Sequence, residues 1–202
     1  MNYSGLLLKL RKPEQEDMPV ITEWLSDDLF LKNLYGSPID SQQNRFQRVH
    51  TFLNQNAKDF SNNITLIADD HLTHTPVGLI MLNHINWCHR NTEMNAAIGD
   101  KTIRNAFYGG DLYLLGLMYS FFALNLHKVF GYTYSSNEAA LKLNRFGGKV
   151  NGILKNHVYR NGKFLDVVTH SVLKSEFLTF LESQKNRLLL KHSKKGVFND
   201  FF

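Results

Sequence analysis

Two adjacent glycines, Gly109 and Gly110, stand between a short strand-like run, Glu93 to Ile98, and an almost uniformly apolar segment, Leu112 to Leu126. A strand, a tight turn and a buried helix, in that order, make a place for an anion. The first amide protons of a helix have no intrahelical acceptor, and the aligned peptide dipoles leave partial positive charge there. Glycine lets the backbone turn and come close to a ligand without a Cβ in between. Ordinary turns share this pattern, so the neighbouring residues have to decide. Ser135, Ser136 and Asn137 precede a second helical run, and each is suited to cap it. Tyr132 and Tyr134 alternate with Thr133, which puts both phenols on one strand face, where core packing is expected. Cys88, with His84 and His89, lacks the spacing of a ligand set, and no metal is expected.

These residues need elements to hold them. Leu6 to Arg11 alternates apolar and charged residues as a half-exposed strand does, and Pro13 ends it. Val20, Ile21, Trp24 and Leu25 then share a helical face. A loop at Gly36-Ser37-Pro38 separates this helix from another over Ser41 to Lys58. Strands are expected at Ile64–Ala68, Val77–Ile85, from near Thr92, and at Lys128–Tyr134, with a polar connection over Asp69 to Pro76. Asn137 to Phe146 reads as a helix closed by Gly147-Gly148. Val150–Tyr159 and Phe164–Leu173 form a hairpin across Asn161-Gly162, and Phe177 to Leu190 adds a terminal helix. Strands alternating with helices predict an α/β fold. Residues 1–175 are expected to form one domain and 176–202 a C-terminal helix and basic tail.

Composition narrows the partners. The 202 residues suit one domain with its own core. A single cysteine excludes an internal disulfide framework. The formal charge is +5, but residues 174–202 hold six cations against three carboxylates, so the remainder carries only +2. That body is too weakly basic to announce a nucleic-acid binder. Leu6-Leu7-Leu8 is too short for a signal or a span, and Met1–Ser4 lacks a basic start, so no membrane association and a cytoplasmic location are expected.

Three runs fall into register, without gaps, with one family: Tyr108-Gly109-Gly110-Asp111, Leu124-Asn125-Leu126-His127-Lys128-Val129, and Ser135-Ser136-Asn137-Glu138-Ala139-Ala140. Across residues 6–175 the chain resembles the GNAT family of acyl-CoA-dependent N-acyltransferases. The run His157 to Val167 is similar to the branch with spermidine, ribosomal-protein N-terminal and nucleotide-amino-sugar acetyltransferases. The resemblance implies a GNAT fold: a mixed twisted sheet of six to seven strands, helices on both faces and a C-terminal helix. It implies acetyl-CoA or another acyl-CoA as co-substrate. The pantetheine arm would lie at Ile98 and Gly99, between two splayed strands, and the pyrophosphate would lie on Asn105, Ala106, Phe107, Tyr108, Gly109 and Gly110. Asn137 matches the family asparagine that contacts the arm. Glu93 matches a glutamate that takes the acceptor's proton directly or through water. His157 and Asp166 fall on the hairpin that lines the acceptor pocket, where a lone histidine is more often a structural hydrogen-bonder.

The chain departs from the family pattern in its phosphate loop. Asn105-Ala106-Phe107-Tyr108-Gly109 stands where the family has Gly-Lys-Gly-Tyr-Gly, so two glycines are replaced and Ala106 supplies no cation. Arg104 or Lys101 would have to compensate. Asn144 replaces the tyrosine that protonates the departing thiolate; it can hydrogen-bond sulphur but is no practical acid. The expected activity is N-acyl transfer to a small-molecule primary amine by direct attack. The mildly basic body favours the amino group of a nucleotide-linked sugar. A protein N-terminal acetyltransferase and an inactive GNAT-like binding module are the alternatives. A homodimer is compatible with all three.

Overall fold

The computed structural model describes residues 3–27, 29–31, 47, 61–142, 148–160 and 162–192. Asn144, Gly147, Asn161, the Gly36-Ser37-Pro38 loop and nearly all of the Ser41–Lys58 helix expected from the sequence lie outside them. The described strands are β1 Tyr3–Ser4, β2 Leu8–Arg11, β3 Ile64–Asp70, β4 Pro76–Asn86, β5 Asn91–Ile98, β6 Lys128–Tyr134, β7 Lys149–Arg160 and β8 Lys163–Leu173. The helices described from end to end are α1 Met18–Trp24, α2 Ala106–Met118, α3 Glu138–Leu141 and α4 Lys174–His192. All eight strands form one sheet in the order β1-β2-β3-β4-β5-β6-β8-β7. The added strand relative to expectation is the two-residue β1, too short to leave a periodic signal. Every pairing is antiparallel except β5 with β6.

The period of two in the central strands divides the core. Leu66, Ala68, Ile80, Leu82, Met94 and Ile98 pack with α2 through Leu112, Leu115 and Leu117. Ile67, Leu79 and Met81 pack on the opposite face with Ile21, Trp24 and Leu25 of α1 and its exit. Helices therefore cover both faces. The first turn of α4 belongs to the α2 face: Phe177 is fully buried, with its ring 5.5 Å from that of Phe121. Among the described residues, no helix is long and apolar enough to cross a membrane.

The start of α2 corrects the sequence expectation. Helix begins at Ala106, so Gly109 and Gly110 lie inside its first turns and not in a loop before it. Asn105 sets this boundary. Its backbone is extended, and its side-chain oxygen accepts from the Phe107 and Tyr108 amides at 2.9 and 3.2 Å. Asp111, one turn further on, accepts from the Leu6, Leu7 and Leu8 amides at 2.9–3.0 Å, which holds the N-terminal segment against the helix. The apolar run then leaves α-geometry for a π-helical turn over Tyr119–Ala123.

Candidate active site

The site begins where two parallel strands part. β5 and β6 share three residue pairs, Asn91–Lys128, Thr92–Val129 and Glu93–Phe130. Beyond these β5 runs on to Ile98 and β6 to Tyr134 with no further pairing between them. Gly99 donates to the Val77 carbonyl at 2.8 Å, which fixes the alternation of the β4–β5 ladder. Odd-numbered residues of β5 turn their backbone groups to β4, so Met94, Ala96 and Ile98 turn theirs toward β6. Gly131 is the first β6 residue past the fork. A Cβ there would lie 2.9 Å from the His170 ring and 3.4 Å from the Met94 carbonyl. The opening is thus edged by backbone groups of both strands, of the kind an extended amide-containing chain can bond. Met94 and Ala96 face this opening beside the expected Ile98, and their backbone groups leave no mark in residue identity.

Side chains sort onto the two faces. Met94 and Ile98 enter the α2 core, while Ala97 packs with the α1 cluster. Glu93 shares the α1 face with Ala97. Its carboxylate accepts from Asn95 Nδ2 at 3.1 Å and lies 3.4 Å from His84 Nδ1. Both contacts orient a mostly buried carboxylate at the last residue pair before the fork. Phe130, the β6 partner of Glu93, walls a cavity of about 370 Å³ with Asn91, Tyr132, Asn151, Thr169 and His170 among others. Tyr132 therefore corrects the core-packing expectation: it is 49% exposed, its ring 6.1 Å from Phe130 and nearly perpendicular to it. Tyr134 is half-buried. His170 Nε2 meets Thr133 Oγ1 at 2.9 Å, and burial pushes the imidazole below its usual range.

At the α2 end, the expected phosphate residues are in view. Phe107 stands 81% exposed, so its ring does not plug the helix mouth. Gly109 has open space where a Cβ would stand, while Gly110 is buried. The Tyr108 hydroxyl donates to Asp70 Oδ2 at 2.7 Å, at the end of β3. That bond, with the Thr73 and Leu72 amides, holds the Asp70 carboxyl down at about 2. Arg104 turns away from the helix mouth, toward the end of β5 and α1. Its Nε donates to the Ile98 carbonyl at 3.0 Å, and Nη2 donates to the Gly99 carbonyl at 2.8 Å and Asp27 at 2.7 Å. Asn137 caps α3 by accepting from the Ala140 amide at 3.2 Å.

The terminal hairpin gathers its polar residues at a bulge between Leu154 and Val158. Asp166 bonds Lys155 Nζ at 2.7 Å and the Asn156 amide at 2.9 Å, and the lysine holds its carboxyl below the usual range. His157 lies in the same bulge, exposed. Among the described residues, no group of three His, Cys, Asp or Glu side chains could hold a metal.

A forked parallel pair, with a capped helix beginning beyond the longer strand, can seat a thioester-bearing arm and present it to Glu93. The model of the acetyltransferase (GNAT) domain family matches residues 8–147. The chain belongs to the GNAT family. It is an acyl-CoA-dependent N-acyltransferase, with acetyl-CoA as co-substrate. It is 27% identical over 172 residues to the spermidine N(1)-acetyltransferase of Vibrio cholerae serotype O1, covering 85% of this chain and 95% of that protein. It is also similar to the crystal structure of spermidine N-acetyltransferase from Vibrio cholerae in complex with CoA and spermine. The TM-score is 0.75 at 26% identity, covering 85% of this chain and 98% of that one. These relatives are described by polyamines, so the nucleotide-linked amino sugar expected from the sequence gains no support. A charge of +2 summed over the body outside residues 174–202 is a weak guide to an acceptor, because a net charge says little about the few groups on one face.

Proposed function

We propose that this GNAT enzyme acetylates a primary amine of a linear polyamine of the spermidine and spermine class. The observation that carries the reading is the fork itself, with the Glu93 carboxylate oriented at its last residue pair. An acyl-CoA arm lying along Met94, Ala96 and the facing edge of β6 would bring its thioester to that point. The deprotonated amine attacks the carbonyl carbon, and backbone amides at the fork stabilise the oxygen as charge develops. The C–N bond forms, the C–S bond breaks, and its electron pair leaves with sulphur. Glu93 receives the ammonium proton directly or through water, and the thiolate is reprotonated from solvent or a neighbouring donor. A thiol of reference pKa about 8.5 is a tolerable leaving group, so Asn144 in place of a tyrosine does not bar the reaction. The polyamine assignment is supported by the descriptions of the Vibrio cholerae relatives. Thiol release from acetyl-CoA with spermidine, spermine, a nucleotide-linked amino sugar and an N-terminal peptide tests it. Turnover with the two polyamines is expected; turnover confined to the sugar or the peptide would overturn it.

A further inference from the structure

Arg104 is the cation nearest the start of α2 in sequence, yet its described contacts lead to the exit of β5 and to the α1 side. Its Nε and Nη2 serve the Ile98 and Gly99 carbonyls at the exit of β5, and Nη2 also meets Asp27 Oδ2 at 2.7 Å. Asp27 lies just past α1, and its Oδ1 accepts from the Leu29 amide at 3.0 Å. The guanidinium carbon stands 6.0 Å from the centroid of Phe30, which in turn lies 6.2 Å from Trp24. Trp24 packs directly on Gly99, where any Cβ would collide with the indole. The end of β5 is therefore fastened to α1 twice, by the indole on Gly99 and by the guanidinium between two carbonyls and a carboxylate.

The side chains of Arg104 and Asp27 are only 22% and 10% exposed. Drawing Arg104 out to a phosphate would strand Asp27 without its cation and leave two carbonyls unserved. α1 covers the face that carries Glu93, from which an amine must reach that carboxylate. We infer that Arg104 is a positioning residue for the acceptor: through Asp27 it holds α1 in register with the end of β5, and it is not a phosphate ligand of the co-substrate. The inference rests on the acyltransferase activity and not on which amine is acetylated.

Arg104→Met, Asp27→Asn and the double variant separate the two roles. CoA affinity is read by calorimetry without acceptor, and acceptor KM is read with spermidine at saturating acetyl-CoA. A clasp predicts that either single variant raises acceptor KM about tenfold, that the double variant adds little more, and that CoA affinity moves less than about threefold. A tenfold loss of CoA affinity in Arg104→Met that Asp27→Asn does not reproduce overturns the inference. So do additive effects on acceptor KM. Should the unmodified enzyme ignore spermidine, the polyamine reading fails, and the same KM comparison is made with the amine that it does turn over. Calorimetry still separates a phosphate ligand, which predicts lost CoA affinity, from a clasp, which predicts nearly none. Arg104→Lys, which keeps the charge and loses the fork, is expected to restore part of the acceptor KM and guards against loss of folding.

Discussion

Glu93 stands at the last residue pair before β5 and β6 part, and its carboxylate is held by Asn95. Glu93→Gln keeps the shape and one acceptor oxygen but removes the proposed base, so kcat is expected to fall by about 10²- to 10⁴-fold with CoA affinity unchanged. Single-turnover acetylation beside CoA calorimetry checks both halves. The Tyr108–Asp70 bond makes a second prediction at this scale. The folded-state value of Asp70, about 2, lies below its ordinary value, so the stabilisation is fully present above that ordinary value and is lost as pH falls toward 2. Tyr108→Phe should therefore lower the melting temperature at neutral pH, and the deficit should close as the pH approaches 2. The place of Glu93 on a central strand could be read from the sequence. The commitments of Tyr108 and Arg104 could not, because Asp70 and Asp27 lie far away in the chain and only folding brings them into reach.

At the scale of elements, the co-substrate helix starts under its own cap. Asn105 occupies amides of the kind that a pyrophosphate would use. Asn105→Ala should cost about 1 kcal/mol of stability without ligand. If phosphate oxygens take over those amides, the deficit shrinks at saturating CoA, and thermal melts of both proteins with and without CoA read the difference. The strands and the terminal hairpin were legible because alternation and an Asn-Gly turn are local signals, and Gly162 indeed adopts φ +79°. The helix boundary at Ala106 was not. A glycine pair reads as a turn until the burial of Gly110 and the capping side chain of Asn105 are seen together. The fork was legible only through family likeness, since strands that part and strands that pair have the same residue periodicity.

Across the whole molecule, the parts described as sheet and terminal helix share one interior. Phe177 sits against Phe121 in the α2 core, so Phe177→Ala should cost about 3–4 kcal/mol, measurable by denaturant melts. On the other side of the sheet, Arg11 joins Asp17 and Asp69 at 2.7 Å each, tying β2 and β3 to the entry of α1. Asp17 is almost fully buried, and removing it would leave Arg11 with Asp69 as its one carboxylate, beside the Lys12 carbonyl. The forked strands have a further consequence. On the proposed reading, acyl-CoA closes the seam of the sheet that β5 and β6 leave open, so donor supply would enter the folding equilibrium. At a hundredfold excess over its dissociation constant, such a ligand adds about 2.7 kcal/mol to stability. A cell short of acyl-CoA would then hold not only an idle catalyst but a shorter-lived one, its steady abundance following the metabolite it consumes.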